Sequence, residues 1–548
     1  MRARTRAMAA ASFTSIALLA TACGGGSDNT TPDAGASQGA GKVGGEISIQ
    51  GCTPQKGLLP GLTSETCGGN VLDAVSAKLV HYNTDTSAPE NDIAESIESS
   101  DNQNFTIKLK PGVKFSDGTE VKAKNFVDAW NYSANCSNGQ DANYFFTPFE
   151  GYDAINATDC KGVDESGTLT GLKVVDDTTF TAKTSAKVSN LPVRLGYTAF
   201  APLPDSFFTG TGAKDQEKMP VGAGPFMVTE NTATSITLEK NPNYTGAYKP
   251  SVDKVNYRIY ADPNAAYNDL LGNQLDYVEQ VPSDRLVGEA YKTELEDRFV
   301  DKAVGGNTWI TFSPSDEQLQ AKPELRKAIS MAVDRDLIIK QIFNGGVQKA
   351  DGWVPPSIDG YKPNQCGDAC VFDAAKAKQM FDAAGGYNGT LTMTYNADGA
   401  NNKQWSEAVA NSVKNTLGIE VVATPVVDFA TYNNKLEENE IKGIFRNAWQ
   451  QDYPSIENFL APIYGSGADS NYARYSSEKF DGELAQAAAA PTVEEANTLY
   501  QQAEATLAAD FPTAPLWNRS FQAGYSNKVT NVKLNGFGVV DLTAIQTV

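Results

Sequence analysis

The chain is short of histidine, of positive charge and of long apolar runs. A single histidine, His81, stands among 548 residues. Histidine-rich metal centres and most imidazole-based acid–base catalysis are therefore not expected. Lysine and arginine total 45 against 66 acidic residues, a formal charge of −21. So acidic a chain is poorly suited to nucleic acid, which demands cations against phosphate. Beyond residue 22 no stretch of 18 residues is apolar, so no ordinary membrane-spanning helix is expected. The Gly-x-Ser-x-Gly elbow, His-Glu-x-x-His and the phosphate loop Gly-x-x-x-x-Gly-Lys-Ser/Thr are all missing. A Ser/His/Asp triad would have to use His81, which sits in Lys78-Leu-Val-His-Tyr-Asn83 and reads as structural. Glu437-Glu438-x-Glu440 reads as a solvated face, not a glycosidase pair. No enzymatic activity and no cofactor are expected.

What is present is a globular composition, 41% hydrophobic and 20% charged, at a length that suggests two to four domains. Arg2, Arg4 and Arg6 precede an uncharged apolar stretch from Met8 to Ala22, the pattern of a signal peptide. It ends Leu19-Ala-Thr-Ala-Cys23, which resembles the lipobox of bacterial lipoproteins, with Ala20 where leucine is commoner. That resemblance implies cleavage after residue 22, lipid on Cys23 and anchoring at the outer membrane face; plain secretion is the alternative. Residues 24–45, rich in Gly, Ser, Thr, Ala and Asp, read as a flexible tether. Six further cysteines outside the cell suggest three disulfides among 15 possible pairings. Sequence proximity favours Cys52–Cys67, Cys136–Cys160 and Cys366–Cys370. A zinc reading of Cys366-Gly-Asp-Ala-Cys370 lacks a second ligand pair, so no metal site is expected.

The body alternates short strands with amphipathic helices, which implies α/β architecture. Strands are expected at 46–50, 105–109, 178–182, 235–239, 255–260, 391–395, 418–423 and 443–449. Helices are expected at 123–132, 264–271, 323–333, 334–343, 404–417, 429–436, 480–490 and 493–510. Leu325, Ala328, Ile329, Ala332 and Val333 fall on one stripe of the helix at 323–333, with Pro323 in its first turn.

Five stretches in order then resemble one family. They are Lys110-Pro-Gly-Val-Lys-Phe-Ser-Asp-Gly-Thr-Glu120 with Ala123-Lys-Asn-Phe-Val127 and Ala129-Trp130, Gly222-Ala-Gly-Pro-Phe226, Leu238-Glu-Lys-Asn-Pro-Asn-Tyr244, Leu325 to Arg335, and Trp353-Val-Pro-Pro-Ser357. They resemble the extracytoplasmic peptide-binding (family 5) solute receptors of ABC importers, over roughly residues 45–548. The resemblance implies a two-lobed periplasmic-binding-protein-like fold of the class II, cluster C type. Domain I would comprise 46–80, 218–302 and 515–548, and domain II 81–217. Domain III, the other lobe across a hinge, would be 303–514.

A linear peptide offers an ammonium, a carboxylate and repeating amides. A receptor indifferent to side chains must read those, with a buried carboxylate, a cation and a free strand edge. In oligopeptide receptors of the family an aspartate before an aromatic residue binds the ammonium, and Asp452-Tyr453 matches. An arginine six residues earlier meets the C-terminus of certain peptides, and Arg446 matches. Asn447, Ala448 and Trp449 would offer backbone groups and an aromatic wall. The residues by themselves leave other roles open: Asp452 as a turn residue, Arg446 paired with Asp452 or Glu440, Trp449 in the core. The facing wall is expected around Glu65 to Asn70, where the chain departs from the family pattern. Gly222, Gly224 and Asp117-Gly118 read as turn residues. Expected partners are a short peptide, an ABC permease and the membrane through the N-terminal lipid, with the chain a monomer. The alternative is a receptor of the same fold for an oligosaccharide or another small solute. A role in presenting peptides to a surface partner would use the same site.

Overall fold

The computed structural model describes residues 41–548 except 64, 158–159, 261, 398–400, 428 and 469. The signal peptide, Cys23 and most of the tether lie outside the described residues. Residues 40–548 form one compact unit of mixed α/β structure.

Its spine is an 11-stranded mixed sheet. Two long antiparallel strands, Phe299–Phe312 and Thr513–Tyr525, cross its middle. On one side of this pair lie Ile444–Gln450, Leu391–Asn396 and Val421–Val426, the last two running parallel. On the other lie Tyr277–Val278, Glu46–Gly51, Lys254–Ile259, Ser235–Lys240 and Phe226–Asn231. The sequence pattern did not reveal the 14-residue strand Phe299–Phe312, because Gly305-Gly306 interrupts its alternation.

A separate four-stranded antiparallel sheet takes the order Ala94–Glu98, Asn104–Leu109, Thr179–Lys183, Leu172–Asp176. Phe105, Ile107 and Leu109 alternate inward from it, and the helix Ala123–Ala134 covers that face. Phe126 stacks on Phe180 at 5.6 Å, and Trp130 meets the same ring edge-on at 5.4 Å.

Three large apolar cores result. One spans Trp309 to Trp517, a second spans Leu59 to Ala223, and a third joins residues near Ile47, Phe226, Tyr257 and Phe521. The expected helices and strands form within a few residues of their anticipated ends. The strand anticipated at 418–423 begins at Val421, because Gly418 closes the helix Asn402–Leu417 at φ 71°. Gly118 turns at φ 88°, as a turn glycine should. Gly222 is constrained otherwise: a Cβ there would meet the Val75 carbonyl oxygen at 1.9 Å, so its glycine permits a close backbone approach.

All three sequence-favoured disulfides form, Cys52–Cys67, Cys136–Cys160 and Cys366–Cys370, with Cα separations of 5.4, 5.8 and 5.7 Å. No helix of the described residues is long and apolar enough to cross a membrane. The Cys52–Cys67 bridge closes a loop of sequence separation 15. Replacing both cysteines with serine is expected to lower stability by about 3 kcal/mol in equilibrium urea unfolding. An unchanged midpoint would show that the loop is already held by its other contacts.

Candidate functional site

The strand Ile444–Gln450 pairs along one edge with Phe299–Phe312, from Ile444 opposite Phe312 to Gln450 opposite Gly306. Its other edge is paired only at Ile444 and Phe445, with Met393 and Thr394, among the described residues. From Arg446 to Gln450 that edge meets no other strand among the described residues, and its main-chain groups other than those of Arg446 and the Ala448 amide have no side-chain cover. The Tyr432 hydroxyl donates to the Arg446 carbonyl at 2.7 Å, and the Asn447 side chain accepts from Ala448 N at 2.9 Å. Strand alternation thus turns the amides of 446, 448 and 450 toward the free edge.

Beyond Gln450 the chain is held by a continuation of this ladder. The register between the two long strands shifts between Ala303 and Asn307. On the edge toward Ile444–Gln450, the Gly305 carbonyl accepts from Gln451 N at 2.8 Å and from Gln450 Nε2 at 3.1 Å. Gly305 N donates to Gly536 O at 3.0 Å, which also accepts from Gln451 Nε2 at 2.9 Å. A Cβ at 305 would meet Gln451 Cδ at 2.3 Å, so a larger residue would have to displace that side chain from Gly536. Asp452 follows directly. Its amide donates to Asn458 Oδ1 at 2.9 Å, and its Oδ2 accepts from Asn458 Nδ2 at 3.1 Å. Asn458, 1% exposed, also accepts from Trp449 Nε1 at 3.1 Å.

Asp452 opens onto a cavity of about 290 Å3. Glu65, Thr66, Gly69 and Asn70 form the facing wall, and Tyr82, Tyr197 and Phe537 contribute rings. Glu65 is occupied as the cap of the helix Thr66–Val75: its carboxylate accepts from Cys67, Gly68 and Gln55 amides at 2.6, 2.9 and 3.1 Å. Asp452 has no such saturation. Burial pushes its carboxyl up to about 7, the Asn458 bond pulls it down, Glu457 pushes it up and Arg194 pulls it down.

Arg194 is committed elsewhere. Its Nη2 lies 3.1 Å from Glu457 Oε2, and its Nε donates to Asn190 Oδ1 at 3.1 Å. Asn190 Nδ2 and the Tyr453 hydroxyl donate to the same Glu457 oxygen at 3.0 and 2.7 Å. Burial works against the Arg194 charge, but Glu457 chiefly outweighs it and the guanidinium pKa is raised. Glu457 thus has a cation and two hydrogen bonds on one oxygen, whereas Asp452 has a side-chain hydrogen bond and, among the described residues, no ion pair.

Of the six residues predicted between Arg446 and Tyr453, only Asp452 lines the cavity itself, whereas four residues of the predicted facing stretch, Glu65, Thr66, Gly69 and Asn70, line it. Tyr453 lies beneath it, buried with its hydroxyl on Glu457 and its ring under Arg194 at 5.2 Å. Trp449 is half-buried against the large core and turned to Asn458. Asn447 and Ala448 occupy the strand edge. Arg446 does not pair with Asp452 or Glu440: its guanidinium lies 5.7 Å from the Phe429 and Tyr432 rings, and Glu440 pairs with Lys435 at 2.7 Å. Arg519, unanticipated, sits between these ends. It donates to Gln450 Oε1 at 3.2 Å, and its pKa is lowered by burial and by Arg446, with Glu279 opposing. Arg194 and Arg519 carry no local sequence signature, because Glu457 and Gln450, their partners at the site, lie far away in the chain. Among the described residues no cluster of side chains could hold a metal ion.

The raised Asp452 pKa has a sign. Its protonated form is favoured in the folded protein, so its contribution is present below about pH 4 and is lost as pH rises through about 7. Asp452→Asn is therefore expected to leave the ligand-free protein's stability unchanged near pH 4 and to raise it at about pH 8, read by urea unfolding. A loss at about pH 8 would mean that a cation already compensates the carboxylate.

Comparison with known proteins places this geometry in a family. The family model for bacterial extracellular solute-binding proteins, family 5 (middle), matches residues 88–471. The chain is 25% identical over 520 residues to the oligopeptide-binding protein OppA of Bacillus subtilis, covering 91% of this chain and 92% of that one. It is 26% identical to heme-binding protein A of Haemophilus influenzae, covering 88% of each. The solved structure of the Escherichia coli murein tripeptide binding protein MppA superposes with a TM-score of 0.75 at 22% identity, over 93% of this chain and 99% of that one. That likeness shows the two-lobed α/β fold, and the model match over most of the chain shows the family: this chain belongs to the bacterial extracellular solute-binding proteins of family 5.

Proposed function

We propose that this chain captures short peptides in the Asp452 cavity and delivers them to an ABC permease. The carrying observation is an uncompensated buried carboxylate at the end of an open strand edge. The peptide ammonium supplies the missing cation to Asp452. The peptide backbone adds to the edge of Arg446–Gln450 in the manner of an extra strand. Its carboxylate runs toward Arg519 and Arg446, the cations along that face. A neutral sugar would leave Asp452 without its counter-charge, which disfavours the oligosaccharide alternative.

The three apolar cores support the division into domain I (46–80, 218–302, 515–548), domain II (81–217) and domain III (303–514). The long strands Phe299–Phe312 and Thr513–Tyr525 then form the hinge between lobes. The buried Arg194–Glu457 network joins domain II to domain III and serves as a contact of the closed form. Residues 1–22 serve as signal peptide, Cys23 carries lipid, and the tether holds the monomeric body at the outer membrane face. The same relatives' class and the missing catalytic motifs support a receptor and not an enzyme.

Native mass spectrometry of residues 24–548, followed by denaturing release, is expected to yield a ladder of short peptides; a single glycan or chelate mass overturns the reading. With ligand-stripped protein, Asp452→Ala is expected to weaken tri-alanine binding by about 2–5 kcal/mol in calorimetry. N-acetylation of the peptide is expected to do the same. Because an ammonium favours the ionised carboxylate, affinity should rise between about pH 5 and 7, with protons released on binding. Unchanged dissociation constants for both substitutions would remove Asp452 from the site.

A further inference from the structure

The cavity does not end at Asp452. It continues beside the strand Val80–Tyr82, past His81, to Asp92, Tyr244 and Tyr248. Asp92 follows the paired strand Pro89–Asn91, and its amide donates to Leu79 O at 3.0 Å. Asp92 is 8% exposed, and its Oδ1 has no hydrogen-bond partner among the described residues. The two lysines whose charges reach it are engaged elsewhere. Lys78 Nζ is bound to Asp73, and Lys110 Nζ donates to the main-chain carbonyls of Asn91 and Asp92. Burial pushes the Asp92 carboxyl up to about 6 against the pull of both lysines. A buried carboxylate in this state lacks a partner of its own.

Rings surround it. His81 stacks on Tyr248 with centroids 3.7 Å apart. The Asp92 charge is felt at the hydroxyls of Tyr244 and Tyr248. His81 adds no competing charge, because burial and Lys78 lower its pKa below the ordinary imidazole value. A carboxylate beside aromatic faces suits a cation on an apolar stem: the faces attract the charge and the rings cover the stem. The spacing also suits. Tyr82, whose hydroxyl feels Asp452, and His81, which stacks on Tyr248 at the Asp92 end, are adjacent residues of one short strand, so both ends of the arm lie along it. A lysine or arginine stem can lie along this arm with its charge at Asp92.

We propose that this arm of the cavity is a subsite for a basic side chain, lysine or arginine, on the first residue of the bound peptide, with Asp92 as its counter-ion and Tyr244 and Tyr248 as its walls. The inference rests on the peptide reading above and names its preferred class. Acidic first residues are disfavoured, because Asp73, Asp92, Asp452 and Asp541 all line the same space.

The test compares two peptides of nearly the same shape, Arg-Ala-Ala and citrulline-Ala-Ala, by calorimetry on ligand-stripped protein. The arginine peptide is expected to bind about tenfold or more tightly. In Asp92→Asn that ratio is expected to fall to near one. Equal affinities for both peptides in the unaltered protein would overturn the subsite while leaving peptide binding standing. A preference that persists in Asp92→Asn would overturn Asp92 as the counter-ion. If neither peptide binds, the peptide reading falls and the subsite falls with it. The first comparison needs no variant, so misfolding cannot obscure it.

Discussion

Two strands that cross the whole molecule set the constraint on which everything else depends. Phe299–Phe312 and Thr513–Tyr525 contribute residues to two separate apolar cores, so neither core can form without the other end of the same strands. The register between them shifts between Ala303 and Asn307. On the other edge of Phe299–Phe312 the ladder to Ile444–Gln450 runs on past its last pair, where the Gly305 carbonyl holds Gln451 N and the Gln450 side chain immediately before Asp452.

The electrostatics divide in two beside that register shift. Glu457 Oε2 receives Arg194, Asn190 and the Tyr453 hydroxyl, so this buried carboxylate has a cation and two hydrogen bonds. Five residues earlier, Asp452 receives one side-chain amide and, among the described residues, no ion pair. Burying a carboxylate so incompletely costs stability in the empty protein. On the proposed peptide reading, a ligand of opposite charge would recover that cost, and the low-polarity surroundings would strengthen the attraction. The two carboxylates thus differ: Glu457 joins two segments through its own cation, and Asp452 has none among the described residues. Glu65, across the cavity, belongs with the first kind because three amides already satisfy it.

The sequence by itself determined the elements and the family. Alternation at Asn104–Leu109 and the stripe Leu325, Ala328, Ile329 are local properties, and local spacing is what hydrophobic periodicity reports. The disulfides followed from proximity, since each joins cysteines no more than 24 residues apart. Asp452 was legible because an acid before Tyr-Pro leaves a strand end, and the motif context supplied its role. Only the tertiary structure decided what surrounds that acid. Asp92 lines the cavity from a distant part of the chain, and Arg194 and Gly305, also distant in sequence, act on Asp452 or the residues just before it. It also moved Arg446 away from Asp452 and onto the Phe429 and Tyr432 rings. The physical reason is that charge and hydrogen-bond satisfaction are set by all neighbours at once, whereas helix and strand formation are set mainly by neighbours in sequence.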